Sequence, residues 1–414
     1  MKENKIKIVH FSDLHFGSGE RYGNINPESG LNKRFEDFIS ALDKPVNFAI
    51  DNNVDLVLFT GDTYKHATPE PVYQKEFAKR IKKLSLSKIP TVLLVGNHDI
   101  LYRIDGSDAL DIYSTLGIDN VTVFNRIELK NIETKNGIVQ VIALPHITKS
   151  RLLTKEEYRN LSTKEQDGLM IEKVKHAITA CFEKLNPELP SILIGHGTIE
   201  SAKFGSEQDL SIGKVLSYPL GLFADAPVDY VGFGHIHRHQ ILKKSNPLIL
   251  YAGSLERVDF GEEEEEKGFI SLELEKGKVN HKFNTTNPRK FLTIDQDLTL
   301  STNPHGDLED TILKNKINDA IVRVIYKINE EDYDRVNQQK IKLLLQSAFA
   351  FTVYADIKHK DRTYRIDDLD ASLISNPILA LEKYLFDFSE DDKKILFEKA
   401  KLIIDSVAQE VNQK

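Results

Sequence analysis

The sequence predicts an α/β protein in which a mainly parallel sheet brings several strand ends to one polar edge. Three observations carry that reading. Short Val-, Ile- and Leu-rich runs recur along the chain, the pattern of strands buried on both faces. Segments with helical apolar spacing alternate with them, as in βαβ units. Five of the apolar runs stop at Gly or Ser and deliver Asp, Asn or His directly after, and in open α/β sheets ligands gather beyond the carboxyl ends of strands. The clearest is Val92–Asp99, Val-Leu-Leu-Val-Gly-Asn-His-Asp.

Taken in order, Ile6–Phe11 is the first strand and runs into Ser12-Asp13-Leu14-His15. A Gly/Asn-rich loop (Gly17–Gly30) leads to a helix over Leu31–Asn53. Phe35, Phe38, Ile39, Leu42, Val46, Ala49 and Ile50 form its apolar face. Val54–Thr60 is the second strand and ends at Gly61-Asp62. Pro69 and Pro71 introduce a helix over Val72–Leu84, whose Lys79-Arg80 and Lys82-Lys83 read as a solvated face. Ser107–Leu116 is a short helix with Ser107 as its cap. Strands follow near Val121–Phe124 and Ile138–Leu144, then a long polar stretch that is mainly helical through Leu185. Ser191–Ile194 delivers Gly195-His196, and Tyr230–Phe233 delivers Gly234-His235-Ile236-His237. Leu248–Tyr251 is one more strand, and Gly268–Leu274 with Lys278–Phe283 is a hairpin about Lys276-Gly277. The acidic run Glu262–Glu266 reads as a loop tip.

From Asn287-Pro288 the character changes. Ala320–Ile328, Glu330–Phe349 and Phe351–Lys358 read as strand, helix and strand, a small β-α-β unit. Helices over Pro377–Phe386 and from Ser389 onward close the chain, the second with a capping-box-like start and a stripe of Leu396, Ala400, Ile403, Val407 and Val411.

The chain has 414 residues, enough for two or three domains, with 40% hydrophobic and 29% charged content. A single cysteine, Cys181, permits no internal disulfide and fits a reducing cytoplasm. No leader is expected before the first strand, and no apolar run reaches the ~20 residues of a membrane helix. The net charge of −8 argues against gripping nucleic acid by charge alone. It leaves room for an enzyme whose bound cations invert the local sign.

The chemistry lies in the strand ends. In extended backbone, residues i and i+2 point the same way, so Asp13-x-His15 and His235-x-His237 can each present two ligands together. Asp62 can bridge two cations with its two oxygens, Asn97 offers an amide oxygen and His196 a further imidazole. Mixed oxygen and nitrogen donors suit Mn²⁺, Fe²⁺ or Zn²⁺ better than Mg²⁺. His98, beside Asn97, is placed to hydrogen-bond a phosphate oxygen or protonate a leaving alkoxide. Gly61-Asp62 or Asp13-x-His15 alone proves little, whereas all five strand ends in this order point to a two-metal phosphoesterase. His10, His146, His176, His239, His281, His305 and His359 lack ligand spacing and read as structural. The cluster Lys358–Arg365 is a secondary candidate for nucleic-acid contact.

These motifs resemble the calcineurin-like metallophosphoesterases. Phe11–Gly17, Gly195-His196, Asp229–His237 and above all Tyr251–Glu262, running into Lys267-Gly268, narrow the resemblance to the SbcD-type DNA double-strand-break repair nucleases. It covers residues 5–285 well and continues more loosely to the end. It implies a four-layer αββα sandwich over 1–286, a β-α-β capping domain over 287–370 and a helical region over 371–414 that docks on an SbcC-type ABC/SMC-like ATPase. Carried over by position, Asp13, His15, Asp62 and His237 correspond to ligands of one divalent metal, with Mn²⁺ favoured. Asp62, Asn97, His196 and His235 correspond to ligands of the other, and His98 to the phosphate-contacting histidine. One position departs: where several members place His or Asp three residues after the bridging Asp, this chain has Lys65, with His66 next. Either His66 substitutes by a loop shift or Lys65 binds phosphate.

The implied activity is metal-dependent DNA hydrolysis, 3′ to 5′ on duplex ends and endonucleolytic on single strands or hairpins. The implied assembly is a cytoplasmic homodimer bound to the ATPase. The alternative enzyme is a phosphodiesterase of small nucleotides, and the alternative from another class is a scaffold that has lost catalysis. The Tyr251–Gly261 block and the capping segment speak against the first, and the complete set of ligand types against the second.

Overall fold

Two six-stranded mixed sheets lie face to face in a computed structural model that describes residues 5–101, 107–153, 159–205, 216–359 and 388–411, with positions 378, 381 and 385. The strands are β1 (Ile6–Phe11), β2 (Leu56–Phe59), β3 (Thr91–Leu94), β4 (Val121–Phe124), β5 (Glu128–Thr134), β6 (Gly137–Leu144) and β7 (Ser191–His196). After the short pair β8 (Thr198–Ile199) and β9 (Ser217–Tyr218) come β10 (Tyr230–Gly234), β11 (Gln240–Lys243), β12 (Leu248–Tyr251), β13 (Gly268–Glu275) and β14 (Lys278–Thr285). One sheet has the order β14-β13-β1-β2-β3-β4, the other β11-β12-β10-β7-β6-β5. Their centres are parallel, and antiparallel pairs β13/β14, β11/β12 and β5/β6 close the edges.

The alternation of side chains along a strand sorts the core into layers. Ile6 and Ile8 of β1 face the second sheet with Leu56, Leu58, Val92 and Leu94, meeting Val141, Ile192, Ile194, Tyr230 and Leu250. Val9 and Phe11 face outward against Phe35, Phe38, Leu42 and Val46 of the helix Lys33–Asp51, and against Phe77 and Ile81 of the helix Pro71–Leu86. On the far side Ile142, Leu193, Val231 and Phe233 pack on Val174 and Ile178 of the helix Thr163–Phe182. The αββα sandwich expected from the resemblance is therefore what the chain folds into. Removing one side chain from its centre, as in Leu58→Ala, would cost about 2–5 kcal/mol.

Polar groups between the sheets are paired. His10 Nδ1 lies 2.7 Å from the Tyr230 hydroxyl and Nε2 lies 2.9 Å from Thr60 Oγ1, so one ring joins β1, β10 and the end of β2. The structural reading of His10 holds. Arg80, expected on a solvated face, instead joins two helices by pairing with Asp43 at 2.9 Å and Glu76 at 2.5 Å.

Several boundaries shift for local reasons. Asn32 caps the first long helix, accepting from Arg34 N at 2.8 Å. Leu31 accordingly lies outside that helix. The short helix expected from Ser107 begins only at Asp111. Strands β5 and β11 escape sequence reading because they are edge strands, mostly half-buried and without clean alternation.

Beyond residue 290 a third sheet, β15 (Phe291–Asp297), β16 (Ile321–Asn329) and β17 (Ala350–Lys358), is wholly parallel with its own core. The expected β-α-β unit is thus β-α-β-α-β, with β15 and the helix Pro304–Leu313 added in front. It leans on the sandwich through Tyr22, Phe260, Phe291 and Ile321. Arg289 grips Asp37 with two bonds, at 2.6 and 2.7 Å. The helix Glu390–Val411 begins as expected, Ser389 Oγ accepting from Asp392 N at 3.2 Å. Most of the expected helix Pro377–Phe386, all but positions 378, 381 and 385, and most of the Lys358–Arg365 cluster lie outside the described residues. Among the described residues no helix is long and apolar enough to cross a membrane.

Candidate metal centre

The strand ends converge as the sequence implies, but through tight loops. Asp13, His15, Asp62 and His235 have φ values of 52°, 50°, 59° and 97°. The expectation that each D-x-H or H-x-H pair shares a strand face is therefore corrected: left-handed turns past the last strand residue aim these side chains. The loops are laced together, Leu14 N and His15 N both donating to Asp62 O at 2.9 and 3.1 Å. Asp99 staples a third loop to them. Its carboxylate accepts from Gly96 N, Asp62 N and Thr63 N, each at 3.0 Å. Burial, with the Asp62 charge beside it, pushes Asp99 up to about 7. Gly96 leaves room for this, because a Cβ there would stand 2.2 Å from Asp62 Oδ1.

Around this frame all seven expected ligands meet. Asp13, His15 and His237 form one cluster and Asp62, His196 and His235 another, with donor atoms within 4.8 Å of one another in each. His15 Nε2 and His237 Nε2 are 2.9 Å apart. Asn97 Oδ1 lies 3.0 Å from His196 Nε2 and 2.9 Å from His235 Nδ1. Asp62 does not offer its two oxygens separately, as the sequence reading has it. Oδ1 accepts from His98 N at 2.9 Å, leaving Oδ2 to face both clusters, 3.6 Å from His15 Nε2 and 3.3 Å from His196 Nε2.

The donor set fits cations because its lone pairs face one another. His196 Nδ1 donates to Thr60 O at 2.6 Å, so in the neutral ring Nε2 is bare and looks at two acceptor oxygens, Asn97 Oδ1 and Asp62 Oδ2. Against strong burial, the Asp62 carboxylate pushes His196 up to about 9, a proton filling the place a cation would take. His235 is held down to about 3 by burial, and its Nε2 has no hydrogen-bond partner among the described residues.

His98 is exposed, its ring 4.8 Å from that of His15. Its Nδ1 donates to Lys65 O at 2.8 Å, and one of its ring nitrogens lies within 4.8 Å of ligand atoms of both His15 and Asp62. The position after the bridging aspartate thus acts on His98 through its backbone, while the Lys65 and His66 side chains are exposed.

Three residues near the site escape sequence reading as participants. Glu262, expected at a loop tip, is fully buried, and His237 Nδ1 donates to its Oε1 at 2.5 Å. Lys267, also fully buried, lies 3.0 Å from Glu262 Oε2. Burial would raise the Glu262 carboxyl, but Lys267 and His237 outweigh it and hold it well below the usual carboxylate range. The only sequence signal was that both lie in the distinctive block after Tyr251. His146, read as structural, sits behind His196 with ring centroids 6.5 Å apart, pushed down to about 4 by burial.

A carboxylate oxygen facing two imidazole clusters at the edge of an αββα sandwich is the donor set of a metal-dependent hydrolase. Residues 6–239 match the calcineurin-like phosphoesterase family, and the chain belongs to it. More particularly, it is 29% identical over 327 residues to the SbcD component of the nuclease SbcCD of Staphylococcus epidermidis (strain ATCC 12228 / FDA PCI 1200), covering 76% of this chain and 77% of that one. Among solved structures it is similar to a dimetal phosphatase from Danio rerio, with a TM-score of 0.42 and 10% identity over 68% of this chain and 97% of that one. It is likewise similar to GAP50, the anchor in the inner membrane complex of Plasmodium, with a TM-score of 0.42 and 13% identity over 68% of this chain and 85% of that one.

Proposed function

We propose that this chain is a two-metal DNA nuclease, the cleaving component of an SbcCD-like repair complex. The observation that carries the two-metal reading is Asp62 Oδ2, set between His15 and His196 at 3.6 and 3.3 Å. Asp13, His15, Asp62 and His237 would hold one cation, and Asp62, Asn97, His196 and His235 the other, with Mn²⁺ favoured by the mixed donors. Bound there, the cations would supply a Lewis acid for the phosphodiester and would lower the pKa of water, so that its oxygen could bond to phosphorus at neutral pH as the bond to the leaving alkoxide breaks.

His98 serves that step from the open side. Its Nδ1–H is held by Lys65 O, so Nε2 donates to a phosphate oxygen or hands the alkoxide a proton when the ring is the imidazolium, with a proton on each nitrogen. Asp99 and Gly96 keep Asp62 and Asn97 in place while this happens. Likeness to the staphylococcal SbcD protein supports DNA as substrate and an SbcC-type ATPase as partner. The capping unit over 287–370, a homodimer, cytoplasmic location, 3′ to 5′ action on duplex ends and endonuclease action on single strands or hairpins complete the proposal. With a net charge of −8, cations and partner must supply much of the attraction for phosphate.

The test sets end-labelled duplex, hairpin and single-stranded DNA beside cyclic nucleotides and bis-p-nitrophenyl phosphate, with Mn²⁺ or with chelator. Mn²⁺-dependent shortening of duplex and opening of hairpins is expected. Turnover confined to the small esters would replace DNA with a small nucleotide as the substrate.

A further inference from the structure

We infer that Glu262 is a positioning residue for the metal centre: with Lys267 it locks His237 in the one tautomer and orientation that can ligate. The inference rests on the two-metal reading. His237 has two ring nitrogens, and Nε2 is the one that points to His15. Nε2 can offer a lone pair only if the proton sits on Nδ1, and that proton goes to Glu262 Oε1 at 2.5 Å.

The carboxylate is itself immobilised. Glu262 Oε2 accepts from Val258 N at 2.8 Å and faces Lys267 Nζ at 3.0 Å. Lys267 Nζ also donates to Glu265 Oε2 at 2.7 Å and back to His237 O at 3.1 Å, so one ammonium holds both the orienting acid and the backbone of the histidine it orients. A buried ion pair is weak evidence of a stability role, since desolvating both charges offsets most of their attraction. Its use here is directional.

The outer face of the same loop is fixed from the third sheet. Glu263 accepts from Thr293 N at 2.8 Å and from Thr293 Oγ1 at 2.6 Å. Arg257 donates to Glu262 O at 3.1 Å and to Arg289 O at 3.0 Å, and Phe260 packs on Phe291 with ring centroids 4.9 Å apart. The segment between Tyr251 and Gly268 therefore carries the placement of the third sheet to one metal ligand.

The test compares full-length wild type and Glu262→Gln by competitive Mn²⁺ titration against a metallochromic indicator. Elemental analysis after desalting and thermal melting in chelator accompany it. The affinity for one ion should fall about 10–100-fold while the other is unchanged, leaving the desalted variant with half the wild-type metal. Should Glu262→Gln melt far below wild type, the double variant Glu262→Gln, Lys267→Met removes both charges and should show the same selective loss. A folded variant of either kind that takes up both ions with wild-type affinity would overturn the inference and reduce the pair to a loop staple. A wild type that takes up no Mn²⁺ would instead overturn the two-metal reading itself.

Discussion

The joint between the two sheets makes a quantitative prediction at His10. Its ring is fully buried, and burial, with His239 adding to it, pushes it down to about 3. Below about pH 6.5 the unfolded chain takes up a proton that the folded chain refuses, so stability falls with pH from there to about 3. Integrated from pH 7.5 to 5, this one site removes about 2 kcal/mol. His10→Gln keeps an amide to face Tyr230 and Thr60 but cannot titrate. It should be less stable than wild type at pH 7.5 by about 1 kcal/mol, the worth of an imperfect hydrogen bond. The gap should close and then reverse toward pH 5. Urea unfolding at several pH values, in chelator so that cations do not contribute, measures both curves. A gap constant between pH 7.5 and 5 would refute the reasoning, because it would mean that the folded protein protonates His10 as readily as the unfolded chain does. Since Thr60 bonds both this ring and, through its carbonyl, His196, acid should loosen the site along with the sandwich.

Other predictions follow from single contacts. His98→Ala should keep its metal yet lose about 10²–10³ in turnover on DNA, the usual effect of removing one transition-state donor; near-normal rates in saturating Mn²⁺ would remove His98 from the mechanism. Asp62→Asn should lower the content of both ions, and Asn97→Ala mainly of one, as elemental analysis of purified variants would show. Lys65→Ala should cleave DNA close to the wild-type rate, because only its carbonyl holds His98; a loss like that of His98→Ala would show that its side chain binds phosphate. Removing residues 371–414 should leave the melting temperature nearly unchanged but abolish co-purification with an SbcC-type ATPase. A large drop in melting with partner binding intact would assign those residues to packing.

Reading from sequence succeeded where burial and strand ends coincide. β12 was legible residue for residue because Leu248–Tyr251 is buried throughout, and Val92–Asp99 announced its site because polar groups follow the strand without a spacer. It failed at β5 and β11, whose half-buried edge positions blur the alternation that marks a strand. Among site residues, the donors were visible as residue types, but their aim was not. No periodicity foretells that Asp13 and His235 leave the strand in left-handed turns. Glu262 shows why a charge run misleads: of consecutive acids, the first is inside, bonded to His237 from an earlier strand end and paired with Lys267 at the end of the run.

The His235 amide donates to the Asp13 carboxylate across 222 positions of sequence. During synthesis, Asp13, His15, Asp62, Asn97 and His98 therefore leave the ribosome long before His196, His235 and His237. Half the donors wait, unpaired, until the second sheet has formed and closed on the first. On the proposed two-metal reading, tight metal binding would then belong to the finished chain and not to a nascent segment that holds only part of the donor set. A fragment ending near residue 150 should accordingly bind Mn²⁺ far more weakly than the whole chain, and separately made halves should regain tight binding only by reassembling.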